Sequence, residues 1–201
     1  MAELSQAALV RQAAGEDILE EQPAYDLIEL FFFAYRDFVG DPDRILGDYG
    51  FGRAHHRVLH FVDRQPGLTI AELLDILRIT KQSLNRVLKE LVEKGFIEQR
   101  PGTADRRQRL LFTTAPGHEL ARRLAKLQTR RIMRALADGD DGLKDAASRF
   151  LLAMIDPADR AHAARVAFGL GDPAHPCDLK SSIDPSGRVR SGYKPSPVLM
   201  A

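Results

Sequence analysis

The chain has no tryptophan and a single cysteine, Cys177, among its 201 residues. One thiol excludes an internal disulfide and cannot alone supply a thiolate metal cage. Fold and chemistry are therefore expected to be independent of cysteine, which suits a reducing compartment. Also absent is any run of about 18 apolar residues that would span a bilayer, and the N-terminus lacks the basic-then-apolar order of a signal peptide. These absences predict a cytoplasmic protein with no membrane partner. There is no glycine-rich phosphate loop, no nucleophile elbow and no pair of acids in a cleft pattern, so the sequence does not read as an enzyme and no cofactor is expected. What remains is ordinary globular composition, 44% hydrophobic, enough for one domain with a core plus extensions.

The net charge is only +1, but it is unevenly placed. Residues 1–48 carry eleven acids against three bases, whereas residues 81–109 carry eight bases (Lys81, Arg86, Lys89, Lys94, Arg100, Arg106, Arg107, Arg109) against four acids. Such asymmetry says more about partners than the total does, and it marks the middle of the chain as a surface for a polyanion.

Residues 1–22 are polar and Ala-rich without a strong apolar stripe, and read as a weakly ordered arm. From Pro23 the pattern changes: Leu27, Ile28, Phe31, Phe32, Tyr35, Phe38 and Val39 occupy more than one helical face, which a helix on the surface of a monomer could not hide from water. Gly40, Asp41 and Pro42 are expected to end this helix. Phe51, Val58, Leu59 and Val62 mark a second helix closed by Pro66-Gly67. Ile70, Leu73, Leu74 and Leu77 then follow i, i+3, i+4, i+7 behind Thr69, and Leu84, Val87, Leu88, Leu91 and Val92 repeat the pattern behind Thr80, with Gly95 as a left-handed stop. Only Arg78 and Ile79 lie between these helices, and so short a connection forces a sharp angle. Helix, tight turn and capped helix make a helix-turn-helix.

Phe96 to Arg100 and Arg109 to Thr113 read as two strands of a hairpin, the wing, around a loop with turn residues first and charges after. Thr114 can cap a long helix carrying Leu120, Leu124 and Leu127, with six bases between Arg122 and Arg134. Leu143, Ala147, Phe150, Leu151 and Met154 give a further helix, and a short Ala-rich one extends to about Phe168. After it Pro, Gly and Ser dominate, so residues 169–201, with the His175-Pro176-Cys177 triplet, are expected to form a disordered tail. The predicted fold is thus mainly α with a small β-hairpin. Residues 51–114 form a winged helix-turn-helix lobe for DNA, and residues 23–50 and 115–168 a helical dimerisation region in which Leu27, Phe31, Phe32, Phe150 and Leu151 meet a second copy.

The second helix of such a motif fits the major groove, so the residues opposite its buried stripe carry the chemistry. Here they are Thr80, Lys81, Gln82, Ser83, Asn85, Arg86 and Lys89, rich in hydrogen-bond donors and without an acid. Any solvated helix face carries similar residues, but the wing changes the odds. Arg106, Arg107 and Arg109 crowd its tip beside one acid, Asp105, and their mutual repulsion calls for an anion or a fixed carboxylate partner. A phosphate or a narrow minor groove is the natural anion.

The run Thr80-Lys81-Gln82-Ser83-Leu84-Asn85-Arg86-Val87-Leu88-Lys89-Glu90-Leu91-Val92-Glu93-Lys94-Gly95-Phe96-Ile97, followed by Asp105-Arg106-Arg107 and by Thr114-Ala115-Pro116-Gly117-His118-Glu119-Leu120, resembles the recognition helix, wing and post-wing helix start of the multiple-antibiotic-resistance regulator (MarR) family. The resemblance spans roughly residues 24–155. It implies a homodimeric transcription regulator on a pseudo-palindromic duplex, tuned by a small molecule. It also implies that Asp105 and Arg107 match the family's Asp-x-Arg wing motif, the acid orienting the arginine that enters the minor groove. The sequence departs from the family pattern at Thr113, where Leu is usual, and at Pro116 before Gly117.

In the family, ligands commonly bind between the dimerisation region and the DNA-binding lobe, which makes Tyr35, Phe38, His55 and His56 candidate lining residues; they serve equally well as core. His55, His56 and His60 also allow a metal-sensing alternative, since His56 and His60 stand at i, i+4. No acid or cysteine follows at ligand spacing, so no metal is expected. A second alternative is a winged-helix module that binds protein and not DNA.

Overall fold

The computed structural model describes residues 23–102 and 106–169. The expected N-terminal arm and all but the first residue of the expected tail lie outside the described residues. The elements run α1 (Tyr25–Gly47), α2 (Arg53–Arg64), β1 (Leu68–Thr69), α3 (Ile70–Leu77), α4 (Lys81–Glu93), β2 (Ile97–Pro101), β3 (Arg109–Thr113), α5 (Ala115–Ala137), α6 (Leu143–Met154) and α7 (Arg160–Phe168). By packing, the chain divides into a unit that ends at Ile132 and a second that begins at Met133.

In the first unit the local signals act where the sequence places them. Thr69 caps α3 in a capping box: its Oγ1 accepts from the Glu72 amide at 3.2 Å while Glu72 Oε2 accepts from the Thr69 amide at 2.8 Å. Arg78 then adopts φ 50°, the one positive φ outside glycine among the described residues, and this left-handed residue turns the chain into α4. Gly95, at φ 76°, stops α4. β2 and β3 pair antiparallel with Ile97 opposite Thr113 and Pro101 opposite Arg109. β1 adds a third strand, Leu68 opposite Leu111, in the order β1-β3-β2.

The core of this unit joins Val58, Leu59 and Val62 of α2, Leu73 and Leu77 of α3, Leu84, Val87, Leu88 and Leu91 of α4, Ile97 and Leu111 of the sheet, and Leu120, Ala121 and Leu124 of α5. Leu46, near the end of α1, belongs to it as well. The core thus draws on the last turn of α1 and the first turns of α5.

One expectation is corrected. α1 does not end at Gly40-Asp41-Pro42 but continues to Gly47 with Pro42 inside it. Proline costs a helix a hydrogen bond, and two contacts offset that loss. The Pro42 ring is fully buried, and the Asp41 carboxylate accepts from Arg131 Nη2 at 2.8 Å and from Arg44 Nη2 at 2.6 Å. The Arg131 hydrogen bond, first of these causes, holds the Asp41 carboxyl below its usual pKa.

In the second unit α6 and α7 bury no residue. Phe150, Leu151 and Met154 are each more than half exposed, so the described residues of this unit carry apolar side chains that they do not themselves bury.

Candidate nucleic-acid interface

α4 is fixed from within by Leu84, Val87, Leu88 and Leu91, all buried. Lys81, Gln82, Ser83, Asn85, Arg86 and Lys89 are all exposed. At about 100° per residue, Gln82 and Arg86 lie nearly opposite the centre of the buried stripe, with Lys89 close beside them. Thr80 and Ser83 have a structural task too: Thr80 Oγ1 accepts from the Ser83 amide at 3.2 Å and donates to Ser83 Oγ at 2.9 Å. This cap satisfies a first-turn amide and holds the N-terminal end of α4.

Arg106, Arg107 and Arg109 are exposed on the β2–β3 connection and the start of β3. Asp105 lies outside the described residues. Arg100, on β2, pairs with Glu98 and lies 4.5 Å over the Phe112 ring, so its guanidinium is engaged along the wing. Between α4 and β2 runs an open groove of about 690 Å³, floored by Leu88, Val92 and Ile97 and rimmed by Asn85, Lys89 and Gln99.

Behind α4, two contacts reach the α1–α2 corner. Lys94 Nζ donates to the Tyr49 carbonyl at 2.6 Å and lies 4.7 Å from the Phe51 ring centroid. His55 stacks on Phe51 at 4.7 Å, and its Nε2 is 2.9 Å from Glu90 Oε2. The His55 hydrogen bond is the largest cause that lowers the Glu90 pKa. Sequence reasoning missed Glu90 and Lys94 because both face elements about 35 and 45 residues away, and helical spacing carries no sign of such partners.

The other candidate pocket residues are spread along α1 and α2. Tyr35 is half exposed, Phe38 is partly buried and His56 is partly buried. The His56 and His60 rings stand perpendicular with centroids 6.5 Å apart, while His55 is committed to Glu90. Among the described residues no group of three or more His, Cys, Asp or Glu side chains is arranged to hold a metal ion.

Burial lowers the His56 pKa from 6.5 to about 4, assisted by repulsion from His60 and opposed by Asp43. His60 is lowered too, again chiefly by burial. Between pH 6.5 and about 4 the unfolded chain therefore binds more protons than the folded one, so stability is full above this window and falls as pH drops through it. The expected loss is on the order of 1–3 kcal/mol for His56. Urea unfolding at pH 7 and pH 5 checks it: a His56→Gln variant should show a flatter pH dependence, and an unchanged slope would remove His56 as the cause.

A capped helix seated across a three-stranded wing, with a donor-rich outer face, defines a winged helix-turn-helix protein. The MarR family model matches residues 49–108, the span from the end of α1 to the wing. The HTH-type transcriptional regulator PetP of Rhodobacter capsulatus is 47% identical over 135 residues, which is 67% of this chain and 81% of that protein. Among solved structures, MarR itself aligns at 25% identity and TM-score 0.53, over 73% of this chain and 95% of that one. A mutant E. coli MarR complexed with operator DNA aligns at 21% identity and TM-score 0.51, over 68% and 100%; at that identity it supports the fold. The chain belongs to the MarR family, and is a helix-turn-helix transcription regulator. No helix among the described residues is long and apolar enough to cross a membrane.

Proposed function

We propose that this protein is a homodimer that binds a pseudo-palindromic duplex, one α4 in the major groove of each half-site and one wing along the adjacent minor groove, and that a small molecule tunes this binding. The observation that carries the reading is the outer face of α4, where six polar or basic side chains are exposed above a fully buried stripe. The operator complex solved for a MarR relative supports the same use of the fold. Asp105, in this reading, orients Arg107. The dimer forms through the apolar face of α1, with Leu27, Phe31 and Phe32, and through Phe150 and Leu151 of α6, all about half exposed or more. The effector sits against α1 and α2 at Tyr35, Phe38, His55 and His56, of which Tyr35 is half exposed and Phe38, His55 and His56 are partly buried.

Wing and helix differ in chemistry, so their variants should differ in kind. Arg107→Ala is expected to weaken binding to most duplexes, to reduce the salt dependence by about one phosphate-equivalent per site, and to leave the preferred sequence unchanged. Gln82→Ala or Asn85→Ala should relax preference at one or two symmetric base pairs, each worth about 1–3 kcal/mol where the contact is bidentate. Selection from random duplexes, with affinity measured across a salt series, tests both. If Arg107→Ala binds like the unmodified protein at matched salt, the wing assignment is wrong and a protein-binding module becomes the better reading.

A further inference from the structure

We propose that Glu90, braced by His55, is a positioning residue for Arg86, holding its guanidinium as a fork for a guanine edge at the floor of the major groove. The inference rests on the DNA-binding reading above and adds a layer behind the outer face of α4.

The geometry is a three-member chain. Gly52, the residue before α2, donates its amide to His55 Nδ1 at 3.2 Å. A backbone N–H can donate only to an unprotonated ring nitrogen, so the proton of neutral His55 sits on Nε2, which is the nitrogen facing Glu90 Oε2 at 2.9 Å. Phe51 stacks on the same ring at 4.7 Å, and the His55 side chain is only 12% exposed. The imidazole is thus fixed in place and in tautomer, and it fixes one carboxylate oxygen of Glu90. The other oxygen, Oε1, accepts from Arg86 Nε at 3.4 Å, one turn earlier on α4.

What this does to Arg86 follows from the shape of the guanidinium. Its Nε–H is taken by Glu90, so the four N–H groups on the two terminal nitrogens remain for a partner, and these form the fork that matches guanine O6 and N7. Arg86 is 84% exposed and among the described residues pairs with Glu90 alone. It sits nearly opposite the buried stripe, where a recognition helix comes nearest the base edges. A long side chain held at one end loses less rotamer entropy on binding than a free one. Because the brace fixes the direction of the Arg86 guanidinium and not its charge, its effect falls on base choice.

The test uses the full chain and a duplex selected from random DNA by the unmodified protein, compared with duplexes carrying each alternative base pair opposite Arg86. Glu90→Ala and His55→Phe should each reduce discrimination at that base pair roughly 3- to 10-fold, part of the contribution of a bidentate contact. His55→Phe, which keeps the Glu90 charge, should leave affinity for nonspecific duplex and the salt slope unchanged, while loss of the carboxylate in Glu90→Ala should raise nonspecific affinity. Glu90→Gln keeps the shape but offers one acceptor oxygen where Glu90 uses two, so it can accept from His55 or from Arg86 and should retain only part of the discrimination. In an Arg86→Ala background neither change should alter selectivity further. Thermal unfolding is followed in parallel, since a merely structural brace would lower stability and weaken all duplexes alike. Equal weakening of all duplexes, or additive losses in the Arg86→Ala background, overturns the proposal while leaving the DNA-binding reading intact. Absence of selective duplex binding by the unmodified protein overturns both.

Discussion

Gly117→Ala is expected to destabilise the first unit by about 3 kcal/mol or more, a large share of a domain's total stability. The reason lies in how α5 starts. Thr114 caps the helix by accepting from the Gly117 amide at 3.2 Å, and its hydroxyl donates to the Gly95 carbonyl at 2.6 Å. The Thr114 amide in turn donates to the Phe96 carbonyl at 3.1 Å. This draws the first turn of α5 against the backbone between α4 and β2, so a Cβ on Gly117 would stand 2.9 Å from the Phe96 carbonyl carbon and nearer still to its oxygen. The obstacle is main chain, so no rotamer change relieves it, and either the cap or the end of α4 must move. Gly47→Ala is the contrasting case. It also lies in a helix, but its Cβ would meet nothing within 4 Å, so a neutral effect or a gain of up to about 1 kcal/mol is expected. Urea unfolding of both variants checks the pair. Equal, small shifts would show that the close approach at Gly117 has no energetic weight.

The second large effect concerns assembly. Along α1, Leu27 is 55% exposed, Phe31 46% and Phe32 67%, and on α6 Phe150 and Leu151 are 51% and 55% exposed. Isolated exposed apolar residues are commonplace, but several on one helix, as on α1, suit the dimer proposed above. Phe32→Asp would place a carboxylate there without a partner, and two-fold symmetry would place it twice, at a cost of several kcal/mol. Light scattering at micromolar concentration should give twice the chain mass for the unmodified protein and the monomer mass for Phe32→Asp. The variant should also lose about 100-fold or more in affinity for a full palindromic site while a single half-site is bound as before. A monomeric unmodified protein would remove the basis for two-fold recognition.

The readable parts of this chain were those whose causes are local. Thr69 and Thr80 cap, Gly95 stops, and the stripe from Leu84 to Leu91 has one clean period, so α3, α4 and both wing strands fall where the spacing puts them. β1 escapes because two residues cannot show a period, and its existence depends on pairing with Leu110 and Leu111 some forty residues on. The passage of α1 through Pro42 escapes for a related reason. Gly-Asp-Pro is a strong local stop signal, and what overrides it is a buried ring and an arginine ninety residues away. The site divides in the same way. The outward residues of α4 follow from its period, but the pairing of His55 with Glu90 appears only once α2 is laid behind α4, and nothing in the histidine cluster distinguishes His55 from its neighbour.

Pro42 has a mechanical consequence. With no amide hydrogen at that position, the carbonyl of Phe38 has no i+4 donor to receive, so α1, though continuous, lacks one rung there. Leu46, beyond it, is seated in the core. Helices bend most readily at proline, so any bend of α1 is expected at Pro42, between the turns that carry Phe31 and Phe32 and the turn that ends in Leu46.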